Sequence, residues 1–597
     1  MRPTLALSSL ATLFAVVIGV GLFTAPRPAV PAPPAERRVK LAVLVVFDQM
    51  RGDYLERWRP LFGPDGFARL QRDGAWFTHC HYPYGVTTTG PGHASMLTGA
   101  CGDAHGIVSN DWIEDGRGAY CAGDERYKLV PPAPTFPPEP GEKPPAKPTP
   151  KPVGTPERLK SETVADILKE VHGANSKVFG LSLKDRSAIL PTGKRPDGAY
   201  WFYGTFGTST YYTEKVNDTG RIHPWVEQFN ASKFANQWSN KDWTYLRPDL
   251  DYTRWSGQSD NTRGEGTGAG VSAGPLKGWN QKIAFPHPMN PTPGTPGRTY
   301  YEALANSPFG NDLLLEFTKT CVTAENLGVD DVPDLLVVSF SSNDLIGHTW
   351  GPDSHEVLDV TLRSDALMAE LLNFLDTNVG KDRYLLGITA DHGVCPLPEV
   401  TFGPNPPRGR VSTTKLQEEL DKHLTDKFPT PKPAGAKFAR WTNISFPWVH
   451  LKSELVTASG RPRAEIATAA AEFLAKYKDD TGNTLVMRTF TQAELSGTFP
   501  EADVIANRMK RSFYPSRCGD VAVVLQPYSL PGGGTGTTHG APFNYDTHVP
   551  LVVYGPGISG GMRTEPTTPQ AMASIFAKWL NVRRPKDAAF PVPKSLE

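Results

Sequence analysis

Four continuous apolar runs constrain the fold of this chain more than any other feature of its sequence. KLAVLVVFDQM loses its apolar character at Asp48, and DLLVVSFSSND (334–344), YLLGITADHG (384–393) and VPLVVYGPG (549–557) have the same design. Apolar residues without polar alternation are typical of strands that are buried on both faces of a sheet. Helical patterns separate these runs, including SETVADILKEV, with Ser161 as a possible cap, and the amphipathic SHEVLDVTLRSDALMAELLNFLD. Strands alternating with helices predict an α/β fold, with a mostly parallel central sheet flanked by helices.

Side chains with metal-ligand chemistry follow three of these runs. They are Asp48, then Asp344 with His348, then Asp391 with His392, and the later GTTHG adds His539. Ligands of open α/β sheets bind beyond the carboxyl ends of the strands, so these side chains stand where a site is expected. Any one aspartate alone could equally be an ordinary turn or helix-cap residue. Three strand ends on one edge favour a site, and mixed histidine and carboxylate ligands suit Zn²⁺.

The bulk composition limits the classes of partner. Lys+Arg and Asp+Glu both number 62 in 597 residues, so no net charge attracts nucleic acid or an acidic membrane surface. The six cysteines show no C-x-x-C spacing, which disfavours a thiolate zinc site. In an oxidising compartment they could pair, and no pairing follows from the sequence.

The chain divides into four regions. Residues 1–38 hold an uncharged apolar run, from Leu5 to Phe23, and a proline-rich linker. They predict an exported protein, with a signal peptide or a membrane anchor as open alternatives. Residues 39–399 and 526–597 are expected to form the catalytic domain, and the proline-rich insert at 131–156 is expected to be an extended segment or a disordered loop. Residues 400–525 mix helical and strand patterns between two strands of the main sheet, which predicts an inserted cap.

Seven motifs together resemble a known family. In chain order they are VVFDQMRGDYL, TTTGPGHASMLTG, GIVSNDW, SLKDRSAILPTG, SFSSNDLIGHTWGP, TADHGV and GTTHGAPFNYDTHVPLVVYG. Their order is similar to that of the alkaline phosphatase superfamily, most of all its type I phosphodiesterase/nucleotide pyrophosphatase branch and, within that, bacterial PafA-type alkaline phosphatases. The resemblance runs from about residue 40 to the C-terminus and is weakest in the proline-rich insert and the cap. It implies an alkaline-phosphatase-like fold.

The resemblance also implies a site for two Zn²⁺ ions. The ligands implied for one ion are Asp344, His348 and His539. Those implied for the other are Asp48, Asp391 and His392, with the oxygen of Thr89 as a further ligand. His93, His105 and His548 lie in or near motifs but match no ligand position of the family, and they are expected to support the site or the fold. His79 and His81, before the threonine run, also match no ligand position and are expected to be structural.

The nucleophile is expected among Thr87, Thr88 and Thr89, which composition cannot separate. The family places its nucleophile four residues before a histidine, and only Thr89, ahead of His93, matches. Pro91 and the apolar residues after it predict a helix that starts just after Thr89, where backbone N–H groups favour an anion. A plain helix-cap threonine is the alternative. The resemblance implies that Zn²⁺ activates the hydroxyl and that a phosphothreonine forms and is then hydrolysed.

Charge favours a phosphate monoester as the substrate. With ionised ligands and a Thr89 alkoxide, the two-zinc site sums to about zero. Lys184 and Arg186 in SLKDR match phosphate-contacting positions of the family and raise the charge to about +2, which complements a monoester dianion. Asn110 in SNDW matches the remaining phosphate donor.

The sequence thus predicts an exported, zinc-dependent phosphate monoesterase that acts on small-molecule phosphate esters. The alternative is a phosphodiesterase or nucleotide pyrophosphatase on the same two-zinc site. A function of a different class, that of a catalytically inactive cell-surface binding domain, is disfavoured because every implied ligand and the implied nucleophile are present.

Overall fold

The computed structural model describes residues 39–136, 153–272, 276–403, 409–479 and 482–597. The predicted signal peptide or anchor at 1–38 lies outside the described residues, as does most of the proline-rich insert. Among the described residues, no helix combines the length and the apolar character needed to span a bilayer.

The strands of the two main sheets are, in chain order, β1 (Leu41–Phe47), β2 (Ala75–Phe77), β3 (Leu129–Val130), β4 (Val178–Ser182), β5 (Gly198–Phe202), β6 (Phe206–Ser209), β7 (Asp334–Phe340), β8 (Tyr384–Thr389), β9 (Thr442–Ser445), β10 (Trp448–Leu451), β11 (Val486–Thr491), β12 (Val521–Leu525), β13 (Leu551–Tyr554) and β14 (Gly561–Arg563). Short two-stranded ribbons pair Asp111–Glu114 with Arg117–Tyr120, Gly123–Asp124 with Val153–Gly154, Asp242–Trp243 with His287–Pro288, and Arg410–Val411 with Leu530–Pro531.

The longer helices are α1 (Thr89–Thr98), α2 (Val164–His172), α3 (Pro224–Ala231), α4 (Arg298–Ala305), α5 (Pro308–Glu325), α6 (Ser342–Trp350), α7 (His355–Leu375), α8 (Thr413–Lys427), α9 (Arg463–Ala475), α10 (Val504–Arg511) and α11 (Ala571–Trp579). Shorter helices span Tyr54–Arg57, Phe67–Asp73, Gly102–His105, Asp185–Ile189, Tyr252–Ser256, Pro398–Thr401, Ser453–Ser459, Gln492–Ser496 and Asn544–Thr547. The expected cap Ser161 is wrong for α2, because Thr163 caps this helix and forms a capping box with Asp166.

The central sheet has ten strands in the order β14-β2-β13-β8-β1-β7-β4-β5-β6-β3. Its five middle strands, β8-β1-β7-β4-β5, run parallel to one another, and all residues of β1, β7 and β8 are buried. The outer pairings include antiparallel ones, β8 with β13 and β5 with β6. The predicted α/β fold with a mostly parallel sheet is therefore confirmed.

The register of the central strands positions the expected site. Phe47 at the end of β1 stands opposite Phe340 at the end of β7, and Val46 stands opposite Thr389 at the end of β8. Because the three strands end at the same level, the residues that follow them meet at one edge of the sheet.

The segment between β8 and β13 carries a sheet and a core of its own. Its strands are ordered β9-β10-β12-β11 and are antiparallel, and α8 and α9 pack with them around a separate buried cluster. A second cluster joins this sheet to the region of the predicted nucleophile, since it contains Trp448 and Phe490 together with Val86 and Ala94. The boundaries at 399/400 and 525/526 stay predictions.

All six cysteines lie within the described residues, and their thiols are free and buried. Burial raises the pKa of the Cys101 thiol to about 12. The cysteines therefore pack as small apolar side chains in this fold.

Gly92 provides a test of the contact between α1 and the end of β8. A Cβ at this position would lie 2.4 Å from the backbone oxygen of Asp391, so the backbone after β8 would have to move. We expect Gly92→Ala to lower the free energy of unfolding by about 1–3 kcal/mol, as overpacking does in other cores. Denaturant titration measures this change in the free energy of unfolding. Gly118→Ala is the control, since a Cβ at that position meets no atom within 4 Å. Equal stability of the two variants would contradict the close packing.

Candidate active site

Three aspartates gather where the central strands end. Asp48 directly follows β1, Asp391 follows β8 after one residue, and Asp344 lies in the first turn of α6, just after β7. Their exposed fractions are 0%, 0% and 3%. Burying three carboxylates together is costly unless positive charge lies among them.

Lys184 supplies one such positive charge within the described structure. Its Nζ donates to Oδ2 of Asp48 at 2.7 Å and to Oδ2 of Asp344 at 2.5 Å. Burial opposes the charge of Lys184, but Asp344 and Asp48 outweigh it and raise the pKa of the ammonium above its ordinary value. Lys184 thus bridges carboxylates that follow two different strands.

The histidines complete two groups of candidate metal ligands in the described part of the chain. Asp48, Asp391 and His392 form one group, with the membership expected. In the other, Asp344 and His539 group with His392 rather than with His348. His348 is still adjacent, with Nε2 at 3.2 Å from Oδ1 of Asp344. The structure therefore brings all six expected ligand side chains together, and their assignment to ions stays a prediction.

Each of the three histidines is oriented by a backbone carbonyl. The Nδ1 atoms of His348, His392 and His539 lie 2.7, 2.9 and 2.8 Å from the carbonyl oxygens of Thr537, Gly393 and Thr87. Because a carbonyl only accepts, each Nδ1 carries the hydrogen and Nε2 faces the aspartates. This arrangement is typical of metal-ligating histidines.

Among the carboxylate oxygens of this cluster, all within the described residues, Oδ1 of Asp48 and Oδ2 of Asp391 are buried without a hydrogen-bond partner. His93 Nδ1 and His392 Nε2 each lie 3.3 Å from Oδ2 of Asp391, but not at hydrogen-bonding angles. Burial and then the Asp391 charge raise the pKa of Asp48 to about 7. The unpartnered oxygens and the mixed carboxylate and imidazole donors fit a Zn²⁺ centre.

Thr89 lies beside this cluster as the first residue of α1, and it is 1% exposed. The cap residue of the helix is Thr88, one position earlier than expected, and its side chain makes no capping hydrogen bond. Oγ1 of Thr89 is 3.4 Å from Nε2 of His392 and 3.4 Å from Nη2 of Arg186. The hydroxyl therefore stands between the ligand cluster and a guanidinium.

The other two threonines of the run differ in their contacts. Thr87 donates from Oγ1 to the carbonyl of Ala541 at 3.1 Å, and its own carbonyl accepts from His539. Thr87 thus fastens the loop that carries His539. The hydroxyl of Thr88 is buried without a hydrogen-bond partner.

The remaining histidines have supporting positions. His93 bonds through Nδ1 to the carbonyl of Thr89 at 3.0 Å and lies 2.8 Å from Oγ of Ser339 through Nε2. His105 pairs with Ser95, and His548 stacks on His81 at 4.7 Å between ring centroids. None of these four histidines belongs to the ligand groups found in the described residues.

The expected phosphate-binding residues border Thr89. Nη1 of Arg186 lies 3.4 Å from the hydroxyl of Tyr120, which in turn donates to Asp185. The side-chain oxygen of Asn110 accepts from the backbone N–H of Gly90 at 2.7 Å. This bond occupies the amide oxygen of Asn110, so the NH₂ group is the part suited to donate to a phosphate.

Gln49 is a site residue that sequence reasoning missed. Its Nε2 donates to Oδ1 of Asp344 at 2.6 Å, and its backbone N–H donates to Oδ1 of Asp391 at 3.1 Å. It has φ of 68°, and Gly347 leaves room for its side chain, since a Cβ there would lie 2.0 Å from Oε1 of Gln49. The signal available in the sequence was its place directly after Asp48.

Gln49→Ala should weaken metal binding, because it removes the side-chain hydrogen bond that orients Asp344. Loss of such a supporting bond typically costs about 10–100-fold in metal affinity. Competition with a coloured chelator measures the metal affinity of the variant and of the wild type. Gln71→Ala is the matched control, a buried glutamine whose Nε2 bonds the carbonyl of Leu55 instead. Unchanged affinity in Gln49→Ala would refute the role of this bond.

Comparison with known proteins agrees with this geometry. The family model described as type I phosphodiesterase / nucleotide pyrophosphatase matches residues 42–527. The chain is 32% identical over 563 residues to alkaline phosphatase PafA of Elizabethkingia meningoseptica, covering 92% of this chain and 93% of the relative. It is 30% identical over 558 residues to alkaline phosphatase PhoV of Synechococcus elongatus, covering 93% and 92%.

Comparison with solved structures also identifies PafA as a relative. The crystal structure of wild-type PafA has a TM-score of 0.79 and 30% identity, covering 93% of this chain and 98% of that one. A PafA mutant also has a TM-score of 0.79, at 29% identity over 93% of this chain and 98% of the mutant. In this mutant one threonine is changed to serine, and an asparagine, a lysine and an arginine are changed to alanine. The chain belongs to the type I phosphodiesterase/nucleotide pyrophosphatase family, and its relatives there include the alkaline phosphatases PafA and PhoV.

Proposed function

We propose that this protein is an exported, zinc-dependent alkaline phosphatase that hydrolyses phosphate monoesters through a phosphothreonine at Thr89. The observation that carries the proposal is the position of the Thr89 hydroxyl, at the N-terminus of α1, within 3.4 Å of both His392 and Arg186. A nucleophile, a cluster of candidate metal ligands and a guanidinium thus meet at one point.

The relatives support this function. PafA and PhoV are both named alkaline phosphatases, and each match spans more than nine-tenths of this chain. The four residue types substituted in the PafA mutant occur here in the same order, at Thr89, Asn110, Lys184 and Arg186. The spacing from the threonine to the asparagine is the same in both proteins, and so is the spacing from the lysine to the arginine. This correspondence supports a shared set of phosphate-contacting residues.

The chain's own residues prepare Thr89 for attack. The hydrogen bond from His93 to the Thr89 carbonyl fixes the first turn of α1, and the first backbone N–H groups of a helix favour an anionic oxygen. In the attack, the Thr89 oxygen loses its proton and bonds to phosphorus while the bond to the ester oxygen breaks, and the departing alcohol takes up a proton. Water then attacks phosphorus, releases phosphate and restores the Thr89 hydroxyl. Arg186 and the Asn110 amide would hold the non-bridging oxygens in both steps.

The residues that would hold the two zinc ions are the six ligands described above, Asp48, Asp344, His348, Asp391, His392 and His539. When bound, such ions lower the pKa of coordinated oxygens and neutralise charge on the attacking and leaving oxygens of a phosphoryl transfer. Lys184, which bridges Asp48 and Asp344, is placed to meet a phosphate oxygen between these ligands.

Space for a leaving group adjoins the site. A groove is lined by Thr88 and His539 on one side and by cap residues such as Phe446, Met509 and Leu525 on the other. Its lining is mainly apolar, so the group attached to the phosphate can be organic.

Thr89→Ala should abolish turnover of an aryl phosphate monoester, by roughly a thousandfold or more, because the nucleophilic oxygen is gone. Zinc content, measured on the purified variant, should be retained, since Asp48, Asp391 and His392 remain. Thr89→Ser, which keeps a hydroxyl, is the matched control and should remain active. Substantial turnover by Thr89→Ala would rule out the proposed nucleophile.

The choice between monoesterase and diesterase rests on Lys184 and Arg186. The wild-type protein should cleave an aryl phosphate monoester faster than the matching diester, and Arg186→Ala should reduce the monoester kcat/KM by about 10–100-fold. The kcat/KM for the diester, which carries one negative charge less, should decrease less. Arg195→Ala, an exposed cation on the same connection, is the control. Faster diester cleavage by the wild type would favour a phosphodiesterase or nucleotide pyrophosphatase instead.

A further inference from the structure

The guanidinium of Arg186 carries its charge beside Thr89 without a carboxylate partner. Among the described residues it forms no ion pair, and it makes two side-chain hydrogen bonds, both at 3.4 Å. One joins Nη2 to Oγ1 of Thr89, and the other joins Nη1 to the hydroxyl of Tyr120. Its Nε is buried without a hydrogen-bond partner. The charge of Arg186 is therefore available to an anion, provided that the group is held in the productive direction.

The hydroxyl of Tyr120 is placed to hold that direction. It donates to Oδ1 of Asp185 at 2.5 Å, so its hydrogen is committed and a lone pair of its oxygen is left to accept from Nη1 of Arg186. Burial, then the charge of Asp185, holds the pKa of the phenol well above its ordinary value. Tyr120 therefore keeps its hydrogen, and the polarity of this pair of bonds, in alkaline solution.

Asp185 fixes the other end of the arrangement. It is the first residue of the short helix Asp185–Ile189, and its Oδ1 also accepts from the backbone N–H of Arg186 at 2.7 Å. The carboxylate thus has two donors close to the guanidinium, and neither of them is the guanidinium itself. Because the hydroxyl of Tyr120 connects the two groups, Asp185 orients Arg186 without neutralising it in a direct ion pair.

The ribbon that carries Tyr120 also holds Asn110. Tyr120 stands opposite Asp111 in the pairing of the two strands. Next to this pair, the backbone N–H of Cys121 donates to the carbonyl of Asn110 at 2.9 Å. One ribbon therefore fixes the amide that is expected to meet phosphate and the hydroxyl that directs Arg186.

We propose that Tyr120 is a positioning residue, which together with Asp185 directs the guanidinium of Arg186 toward a phosphate oxygen beside Thr89. This inference rests on the proposed function, in which Arg186 holds a non-bridging oxygen. Tyr120 acts through Arg186 and does not itself donate to the phosphate, because its hydrogen is taken by Asp185. Removal of the hydroxyl therefore weakens phosphate binding only while Arg186 is present.

The test is a double-mutant cycle between Tyr120→Phe and Arg186→Ala in the full-length, zinc-loaded protein. Isothermal calorimetry with inorganic phosphate as the probe measures the affinity of each variant. Tyr120→Phe should weaken phosphate binding by about 3–10-fold, as expected for the loss of one hydrogen bond that orients a charged group. In the Arg186→Ala background the same change should alter the affinity by less than about twofold, because the group that the hydroxyl orients is gone.

Tyr384→Phe is the matched control for the loss of a tyrosine hydroxyl. The hydroxyl of Tyr384 also donates to a carboxylate, that of Asp376 at 2.8 Å, and this carboxylate likewise has an arginine beside it, Arg69 at 2.8 Å. Tyr384 is the first residue of β8, whereas the site follows the last residue of that strand. The control variant should lower Tm and leave the phosphate affinity unchanged, which separates a loss of stability from a loss of positioning.

Kinetics provide a second readout of the same cycle. For an aryl phosphate monoester, Tyr120→Phe should lower kcat/KM by about 3–10-fold, and it should have little further effect in the Arg186→Ala background. The kcat/KM for the matching diester should decrease less, because the diester presents one negative charge less to Arg186.

Two results would overturn the positioning role of Tyr120. One is a Tyr120→Phe variant that binds phosphate as tightly as the wild type does. The other is an equal loss of affinity with and without Arg186, which would mean that the hydroxyl contacts phosphate directly or acts on the fold as a whole. Failure of the proposed function gives a different result, since phosphate binding would still show the coupling while the aryl monoester is not turned over.

Discussion

The active site depends on three aspartates buried together where β1, β7 and β8 end. The parallel register brings Asp48 and Asp391 side by side, and the first turn of α6 adds Asp344. So much negative charge in a small volume is stable only with positive charge among it. Lys184 provides part of that charge, and the histidines turned toward the carboxylates supply the ligands with which a metal centre would provide the rest.

The proposed nucleophile is placed by the same edge of the sheet. Gly92 lets α1 approach the backbone after β8 closely, and the first residue of this helix, Thr89, then reaches His392. Arg186 arrives from the short helix after β4, which is the next parallel strand beyond β7. Strand order, and not proximity in the sequence, thus assembles the hydroxyl, the guanidinium and the ligands.

Much of this arrangement could be predicted from the sequence. The unbroken apolar runs identified β1, β7, β8 and β13, and the long amphipathic pattern identified α7, observed as His355–Leu375. Family motifs pointed to Thr89, Lys184 and Arg186, which the fold does bring together. These features were accessible because each is encoded locally, as a periodicity or a short motif.

The parts that were missed depend on contacts between distant segments. Gln49 bonds Asp344 across nearly three hundred residues of chain, and no local pattern distinguishes it from an ordinary loop glutamine. The role of Thr87 in holding the His539 loop has the same origin. The cap residue of α1 was misplaced by one position because neighbouring threonines are equally able to cap a helix.

The most direct test of the central claim is to identify the covalent intermediate. Wild-type protein turning over an aryl phosphate is quenched in acid, digested and examined by mass spectrometry for a phosphorylated peptide. A phosphate on Thr89, present only when substrate is supplied, is the predicted result. Phosphate found on a different residue, or none under conditions in which a pre-steady-state burst of the phenol is seen, would contradict the assignment of Thr89 as the nucleophile.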